Sequence, residues 1–196
     1  MKIVGLTGGI GSGKTTVAKM FASHKNIAIY IADVEAKKLM NSSKKIKDKL
    51  IANFGEEAYV NNTLNRPFIA DIVFKNKEKL TLLNSIVHPE VRMHFQNFIK
   101  INDKKKYILY ENAILFESNS YLLCDIIITV IANLNTRINR VISRDKTTKK
   151  EVLDRMKNQW HDHKKMLQSN YVIVNENLDE TQFQVQRIHN ILTVNS

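Results

Sequence analysis

The stretch Lys2–Phe21, KIVGLTGGIGSGKTTVAKMF, decides the fold of this chain. Apolar residues from Ile3 to Leu6 predict a buried strand, and apolar residues from Val17 to Phe21 recur at helical spacing. Between them, Gly8–Thr15 fits the pattern G-x-x-x-x-G-K-[ST], in the strand–loop–helix context that this pattern requires. The sequence therefore predicts a phosphate-binding P-loop and the binding of ATP or GTP.

The chemistry of this loop follows from its glycines. Because no side chains are in the way, backbone N–H groups can turn inward as a nest for phosphate oxygens, and the next helix adds its positive end. Lys14 is predicted to reach the β- and γ-phosphates, and the Thr15 hydroxyl is predicted to hold Mg²⁺. The predicted nucleotide-binding residues of the loop are Gly9, Gly11, Ser12, Gly13, Lys14, Thr15 and Thr16.

The composition favours one globular core. At 196 residues the chain suits one domain, or one core with modest insertions. Its first residues are expected to form a strand rather than a signal peptide, and no apolar stretch approaches the ~20 residues that a membrane span needs. The single cysteine, Cys124, cannot form an internal disulfide, so we expect a reduced thiol and a cytoplasmic location.

The formal net charge of +11 allows more than one interpretation. It is compatible with a nucleic-acid-binding protein, with polyphosphate ligands, or with a lysine-rich solvated surface. The lysines and arginines are spread along the chain and form no long basic block interleaved with aromatic residues. We therefore expect small phosphorylated molecules as ligands, with no nucleic-acid or membrane partner.

Four later segments predict further strands. These β-branched, aromatic or apolar runs lie at 27–31, 107–110, 125–132 and 171–175. With the first strand they predict an α/β fold, a three-layer P-loop NTPase-type core with a parallel five-stranded sheet. The core is predicted to comprise residues 1–33 and 105–196. Residues 34–104 are predicted to form a helical substrate-binding insertion, since an ordinary crossover is much shorter.

Within that insertion, residues 34–102 have almost wholly helical patterns, and Pro67 and Pro89 are expected in the first turns of helices. Asp33 ends the second predicted strand and is expected to face the same crevice as the P-loop. A carboxylate there can orient or deprotonate an acceptor hydroxyl, or organise the metal shell. It can equally cap the helix that begins at Val34, and position alone does not separate these roles.

Arg137, Arg140 and Arg144 recur at i, i+3 and i+7 on one predicted helix. A capping-box pattern, Thr148-x-x-Glu151, then begins another helix. Such a pair beside a P-loop is typical of a kinase lid, here about 137–165, although a charged solvent face has the same pattern. If the pair is a lid, Arg140 is predicted to act in catalysis together with Lys14 of the P-loop, and Arg144 is predicted to bind ATP. A closing helix is predicted from about Asp179, with Phe183, Ile188, Ile191 and Leu192 directed inward.

Segments along the whole chain also match one family pattern. The opening Gly5–Thr16, GLTGGIGSGKTT, is more specific than a general P-loop requires. It is followed in order by Leu64-Asn65-Arg66, Val73-Phe74, Leu83–Pro89, Leu115-Phe116-Glu117, Cys124-Asp125, Arg140, Arg144, Arg155-x-x-x-Gln159 and Asn175. In this combination the chain resembles the dephospho-coenzyme A kinase family over nearly its full length.

The resemblance implies a P-loop kinase fold with a helical coenzyme A domain and a lid. It implies transfer of the γ-phosphoryl group of ATP to the ribose 3′-hydroxyl of dephospho-coenzyme A, the last step of coenzyme A synthesis. Asp33 matches the aspartate thought to act as the base in that family, and this favours a catalytic role for Asp33. Arg66 and His88 lie in the helical-domain pattern and are predicted to bind the substrate.

The chain departs from the family pattern at three places. The family usually has Asp-Ala-Asp where this chain has Ile31-Ala32-Asp33, and Asp-x-Pro-Leu-Leu-Phe-Glu where this chain has Glu111–Glu117. Arg137 replaces a common Gln. Glu111 keeps the charge but lies one methylene further out, so the sequence leaves open whether it contacts Mg²⁺ directly or through water.

Two other functions share some of these features. A nucleoside or nucleotide kinase would have the same P-loop, lid and helical insertion, and it would differ in its acceptor. A basic nucleic-acid-binding NTPase would hydrolyse ATP in response to polynucleotide, with binding that weakens steeply as salt rises.

Overall fold

The chain begins with a strand, a helix, a strand and a helix, and further along it elements of one kind also follow one another directly. The computed structural model describes residues 1–194. The strands are β1 (Lys2–Thr7), β2 (Ile27–Ile31), β3 (Tyr59–Val60), β4 (Thr63–Leu64), β5 (Tyr107–Glu111), β6 (Ile126–Ile131) and β7 (Tyr171–Val174). The helices are α1 (Lys14–Ala22), α2 (Ala32–Ser42), α3 (Lys44–Phe54), α4 (Arg66–Lys75), α5 (Lys77–Ile101), α6 (Leu134–Asp145), α7 (Lys149–Met156), α8 (Asp162–Leu167) and α9 (Leu178–Val194).

The main sheet is parallel throughout. Within residues 1–194 it contains five strands in the order β2-β5-β1-β6-β7. The central strand is β1, in which Leu6 lies opposite Glu111 of β5 on one side and Ile128 of β6 on the other. The predicted α/β fold with a parallel five-stranded sheet is therefore confirmed. Because the strands share one direction, their carboxyl ends meet at one edge, where ligands of open α/β sheets bind.

One face of this sheet is covered by α1 and α9. Val4 and Leu6 of β1 pack in the same apolar cluster as residues of both helices. The buried stripe of α9 is Thr181, Val185, Ile188 and Leu192. Phe183 is 71% exposed and Ile191 is also exposed, so their predicted inward orientation is wrong. At 100° per residue, Phe183 lies about 200° around the helix from Thr181.

The other face is covered by the chain that follows β5. Gly5 lies between Val4 and Leu6 in β1 and points to the opposite face of the sheet, towards Leu115 and Cys124. A Cβ added at Gly5 would lie 2.8 Å from an atom of each of these two side chains. The ammonium of Lys165, from the fully buried side chain in α8, donates to the Ala113 carbonyl at 3.0 Å. Burial, reinforced by the Asp125 charge, raises the pKa of Cys124 to about 12, so the thiol stays protonated and unreactive at neutral pH.

The chain divides into two compact units. The first, here called the sheet unit, contains Met1–Ile31 and the residues from Asn102 onward. The second, here called the helical unit, contains Ala32–Ile101, with helices α2 to α5 and the β3–β4 hairpin. In the described residues, 1–194, no helix has both the length and the apolar character that a membrane crossing requires.

The helical unit contains a hairpin that the periodicity did not predict. Tyr59 pairs with Leu64, and Val60 pairs with Thr63, in antiparallel register. Asn61 and Asn62 form the turn with φ values of 49° and 65°. Two consecutive residues with positive φ are the mark of a type I′ turn, and asparagine tolerates this conformation better than most residues.

Pro89 lies inside a helix, so its predicted place in a first turn is wrong. The 25-residue helix α5 continues through it, whereas Pro67 does lie in the first turn of α4. A proline in a helix interior removes one hydrogen bond and disfavours the helix by about 3 kcal/mol. Pro89 itself is exposed, whereas Val87 and Val91, two residues before and after it, are buried on the apolar face of α5. We attribute the continuous helix to the burial of this face, which can offset the penalty.

Candidate active site

The loop between β1 and α1 has the backbone of an anion-binding nest. Gly13 precedes the first residue of α1 and has a φ of 89°, and Gly11 has a φ of 79°. Both values lie in the left-handed region that favours glycine. The first N–H groups of α1 have no partners within the helix, and they carry the positive end of its dipole. The predicted P-loop therefore has the expected strand, loop and helix.

The Lys14 ammonium is folded back over this loop. Its Nζ donates to the Gly8 carbonyl at 2.8 Å and lies 3.3 Å from the Gly9 carbonyl, and the side chain is only 9% exposed. The Thr15 and Thr16 side chains are exposed at the start of α1. The Ser12 hydroxyl is fully buried and makes no hydrogen bond to any described residue. A fixed cation, exposed hydroxyls and backbone donors are thus combined in one loop.

Asn175, at the end of β7, holds the C-terminal half of the loop. Its Nδ2 donates to the Ser12 carbonyl at 2.8 Å, and its Oδ1 accepts from the Thr181 hydroxyl at 3.1 Å. The carbonyl of Asn175 accepts from a terminal nitrogen of Arg140 at 3.0 Å. Arg140 is therefore anchored at a strand end that itself contacts the P-loop. In the sequence, Asn175 was recognised only as a residue of the family pattern, and its contact with the P-loop was not predicted.

The three arginines of α6 do not share one partner. Arg137 is buried and donates to the Ile10 carbonyl of the P-loop at 2.9 Å, which the sequence pattern did not predict. Arg144 has a 65% exposed side chain and pairs with Asp145 at 2.7 Å. Hydrogen bonding from Arg144, supported by Arg155, lowers the pKa of Asp145. The helix thus presents one arginine to the loop, one to β7 and one to the surface.

Helix α7 begins with the predicted capping box, which is confirmed. Thr148 accepts from the Glu151 backbone N–H at 3.3 Å, and the Glu151 carboxylate accepts from the Thr148 backbone N–H at 2.8 Å. Hydrogen bonds to the Glu151 carboxylate from the Thr147 hydroxyl, the Thr148 N–H and the Thr148 hydroxyl lower the pKa of Glu151 to about 2. The segment after α7 carries Gln159, whose Oε1 accepts from the Ile10 N–H at 2.8 Å. Gln159 was recognised in the sequence as part of the family pattern, but its hydrogen bond to the P-loop was not predicted.

The carboxyl end of β5 carries a buried acid. Glu111 is 4% exposed and lies in register with Leu6 of β1 and Ile31 of β2. The next residue, Asn112, donates its backbone N–H to the Leu6 carbonyl at 3.0 Å. An acidic side chain therefore ends the strand beside the one that leads into the P-loop.

In the helical unit, Asp33 lies in the first turn of α2, which begins at Ala32 directly after β2. The alternative role of Asp33, as the N-cap of a helix that begins at Val34, is therefore wrong, because the helix begins at Ala32 and includes Asp33. The Asp33 side chain is exposed. Within the same unit, burial lowers the pKa of His88, and the charge of Asp33 partly opposes this shift.

A groove runs along α2 in the helical unit. It has a volume of about 710 Å³ and is lined by Val34, Lys37, Lys38, Asn41, Ser42 and Arg66. Arg66 is exposed and is the first residue of α4, where Asn65 caps the helix by accepting from the Phe68 N–H at 3.4 Å. Lys38 is paired with Glu35 at 2.8 Å. The residues that line this cationic groove therefore include three cations, Lys37, Lys38 and Arg66, and one apolar side chain, Val34.

Comparison with known proteins shows the family of this chain. A family model described as "Dephospho-CoA kinase" (CoaE) matches residues 2–180. The chain belongs to the dephospho-CoA kinase family. The resemblance expected from the sequence is therefore confirmed, as are the enzyme class, a kinase that uses ATP, and the predicted function, phosphorylation of dephospho-CoA in coenzyme A synthesis.

Individual relatives agree with the family match. The chain is 36% identical to a dephospho-CoA kinase of Fusobacterium nucleatum, over 94% of this chain and 95% of that protein. It is 35% identical to one of Leptospira interrogans, over 97% of this chain and 92% of the relative. A crystal structure of TT1252 from Thermus thermophilus superposes with a TM-score of 0.85 at 28% identity, covering 97% of this chain and 96% of the other.

Proposed function

We propose that this chain transfers the γ-phosphoryl group of ATP to the ribose 3′-hydroxyl of dephospho-CoA, giving coenzyme A and ADP. The observation that carries this proposal is the P-loop, in which the Lys14 ammonium is fixed over a nest of backbone donors at the start of α1. The family match supports dephospho-CoA as the acceptor. We assign residues 1–33 and 105–196 to nucleotide binding and residues 34–104 to binding of the coenzyme A substrate.

The loop would hold the ATP phosphates through Gly9, Gly11, Ser12, Gly13, Lys14, Thr15 and Thr16. Phosphoryl transfer depends on positioning and charge stabilisation more than on covalent help from the protein. We propose that Lys14 stabilises charge on the transferred group. We further propose residues 137–165 as a lid, in which Arg140 acts in catalysis and Arg144 binds ATP, because guanidinium groups bind phosphates with two hydrogen bonds.

The donors near the loop fit Mg²⁺, a hard cation that takes oxygen ligands and usually keeps one or two protein ligands besides phosphates. The exposed Thr15 hydroxyl would hold the ion, and the Glu111 carboxylate would contact it directly or through water. Bound there, Mg²⁺ would neutralise charge on the phosphates.

Asp33 is the base in this proposal. A carboxylate exposed in the first turn after a strand of the main sheet can accept the proton of an acceptor hydroxyl. The electrostatic interaction between Asp33 and His88 supports a shared role in holding that hydroxyl. Arg66, which lines the cationic groove, would bind the diphosphate of dephospho-CoA.

The test is phosphoryl transfer from ATP to dephospho-CoA, adenosine or AMP, with the product identified by mass and by its sensitivity to a 3′-nucleotidase. Dephospho-CoA should be the preferred acceptor, because binding of its remote pantetheine arm can position the reacting hydroxyl. Equal phosphorylation of AMP would instead support a nucleotide kinase. ATP hydrolysis that requires polynucleotide and no acceptor would support the nucleic-acid-binding NTPase.

A further inference from the structure

One residue at the tip of the P-loop, Ile10, is held from outside the loop through both of its flanking peptide units. The N–H of Ile10 donates to Oε1 of Gln159 at 2.8 Å, and the carbonyl of Ile10 accepts from Nε of Arg137 at 2.9 Å. Arg137 lies on α6, and Gln159 lies between α7 and α8. Both hydrogen-bonding groups of this residue are therefore used by side chains from the segment 134–167, here called the α6–α8 segment.

Arg137 is itself fixed in place. It is 7% exposed, and a terminal nitrogen of its guanidinium pairs with the carboxylate of Asp162 at the start of α8. A Cβ added at Gly9 would lie 2.0 Å from the other terminal nitrogen of Arg137, so the loop backbone packs directly against the guanidinium. The planar group thus uses one edge for Ile10 and another for Asp162, which a lysine ammonium could not do with the same geometry.

The segment that carries Gln159 is also anchored to residues that follow β5. The Trp160 N–H donates to the Glu117 carboxylate at 2.7 Å, and the buried Lys165 ammonium pairs with the same carboxylate at 3.0 Å. The Trp160 ring stacks on Phe116 with a centroid distance of 5.4 Å and an interplanar angle of 3°. Side chains held this firmly can determine the orientation of a loop peptide that they contact.

We propose that Arg137 and Gln159 form a clamp on Ile10, as positioning residues that keep the P-loop tip in its phosphate-binding conformation and link nucleotide binding to the α6–α8 segment. The nest depends on the direction of consecutive backbone N–H groups. Rotation of either peptide unit next to Ile10 would turn these donors away from a bound phosphate. The inference rests on the proposed function only in taking ATP as the nucleotide. Neither clamp residue needs to touch the phosphates.

Tryptophan fluorescence offers a direct test, because Trp160 is the single tryptophan of the chain and is next to Gln159. We would titrate ADP and a non-hydrolysable ATP analogue into the unaltered chain, Arg137→Ala, Gln159→Ala and the double variant. Arg187→Ala, an exposed arginine of α9, is the matched control. Calorimetry would give the dissociation constants independently of the fluorescence signal.

Each single variant should weaken nucleotide binding about tenfold or more, as expected for a lost buried hydrogen bond that leaves its partner unsatisfied. The double variant should lose less than the product of the two single losses, because both side chains hold the same residue, Ile10. The KM for ATP should rise while the KM for dephospho-CoA stays unchanged. The nucleotide-induced change in Trp160 fluorescence should shrink in all three variants and persist in Arg187→Ala.

Several results would overturn the clamp. They are unchanged dissociation constants in folded single variants, independent effects in the double variant, or no response of Trp160 to nucleotide in the unaltered chain. If Arg137→Ala fails to fold because Asp162 loses its partner, Gln159→Ala decides the question, since it leaves no charge unpaired. If the clamp effects appear but dephospho-CoA is not phosphorylated, the proposed function fails and the clamp stands.

Discussion

The two ends of the main parallel sheet use polar residues in different ways. At the carboxyl end, Asn175 and Arg137 bond to backbone groups of the P-loop, while the buried hydroxyl of Ser12 makes no hydrogen bond within the described residues. A buried polar group without a partner is unfavourable by about 1–3 kcal/mol. This end of the sheet therefore includes polar groups whose arrangement does not serve folding alone.

At the amino end, aromatic and imidazole groups pair with one another. Tyr107, the first residue of β5, is fully buried, and its hydroxyl lies 2.8 Å from Nδ1 of His189. The His189 ring stacks on His24 with a centroid distance of 3.7 Å and an interplanar angle of 8°. Nε2 of His24 is also buried and makes no hydrogen bond within the described residues, so an unsatisfied polar atom does not by itself distinguish the two ends. The difference is the P-loop, which lies at the carboxyl end. We therefore expect changes at the carboxyl end to alter catalysis and changes at the amino end to alter stability alone.

The largest expected effect tests the catalytic end at Asp33, just beyond β2. Asp33→Asn keeps the shape of the side chain and removes its charge, so phosphoryl transfer should fall by about 10²–10⁴-fold, the usual contribution of a positioned base. Binding of ATP and thermal stability should not change, because the side chain is exposed. Initial rates of coenzyme A formation measure the effect, and Asp48→Asn, an exposed acid of α3, is the control. Full transfer by Asp33→Asn would remove Asp33 from the mechanism.

The second test concerns Lys14. Lys14→Ala should lower the turnover rate by about 10²–10³-fold, as expected for loss of one fixed electrostatic stabiliser. Lys19→Ala, an exposed lysine on the same helix, should retain normal turnover. Circular dichroism would establish that both variants fold. Near-normal turnover by a folded Lys14→Ala protein would show that the ammonium over the loop has no role in transfer.

A smaller effect is expected in α6. Arg140→Lys and Arg144→Lys keep the charge but lose the planar fork, so each should lower transfer by about tenfold, the value for one charge-assisted hydrogen bond. Wasteful ATP hydrolysis should rise relative to transfer, because closure over the phosphates excludes water. Both rates are measured together, with Arg187→Lys as the control. If both rates stay unchanged, α6 is only a charged surface at these positions.

The sequence predicted the sheet well because its signals are local. Strand, loop and helix around Lys14 depend on glycine positions and apolar periodicity within a few residues of one another. The same reasoning was wrong at Pro89, where packing of Val87 and Val91 outweighs a local preference. It also missed the hairpin at Asn61 and Asn62, although two adjacent asparagines are a recognised turn signal.

The contacts that hold the P-loop could not be predicted in this way. Asn175 is 163 residues from its partner Ser12, and Gln159 is 149 residues from Ile10. No periodicity or spacing links such positions, since they meet only after the sheet has formed. The helical spacing of Arg137 and Arg140 correctly placed both on one helix, but a helix face does not show which partner each guanidinium reaches.

The smallest expected effect concerns the amino end, where His189 should affect stability and not catalysis. Burial, together with the nearby His24 charge, lowers the pKa of His189 below its ordinary value of about 6.5. The unfolded chain therefore takes up this proton first as pH falls, so folding stability should decrease from about pH 7 downward. Burial raises the pKa of Tyr107, which stays protonated and can donate to a neutral His189.

His189→Gln removes the titrating group, so its melting temperature should fall less than that of the unaltered chain between pH 8 and pH 5.5. We expect a difference of a few degrees at most, since 1 kcal/mol corresponds to about 2–4 °C for a chain of this size. His163→Gln, an exposed histidine of α8, should keep the original pH dependence. Turnover at pH 7.5 should be the same in all three proteins. Parallel pH profiles for His189→Gln and the unaltered chain, or a loss of turnover in His189→Gln, would contradict the division of roles between the two ends of the sheet.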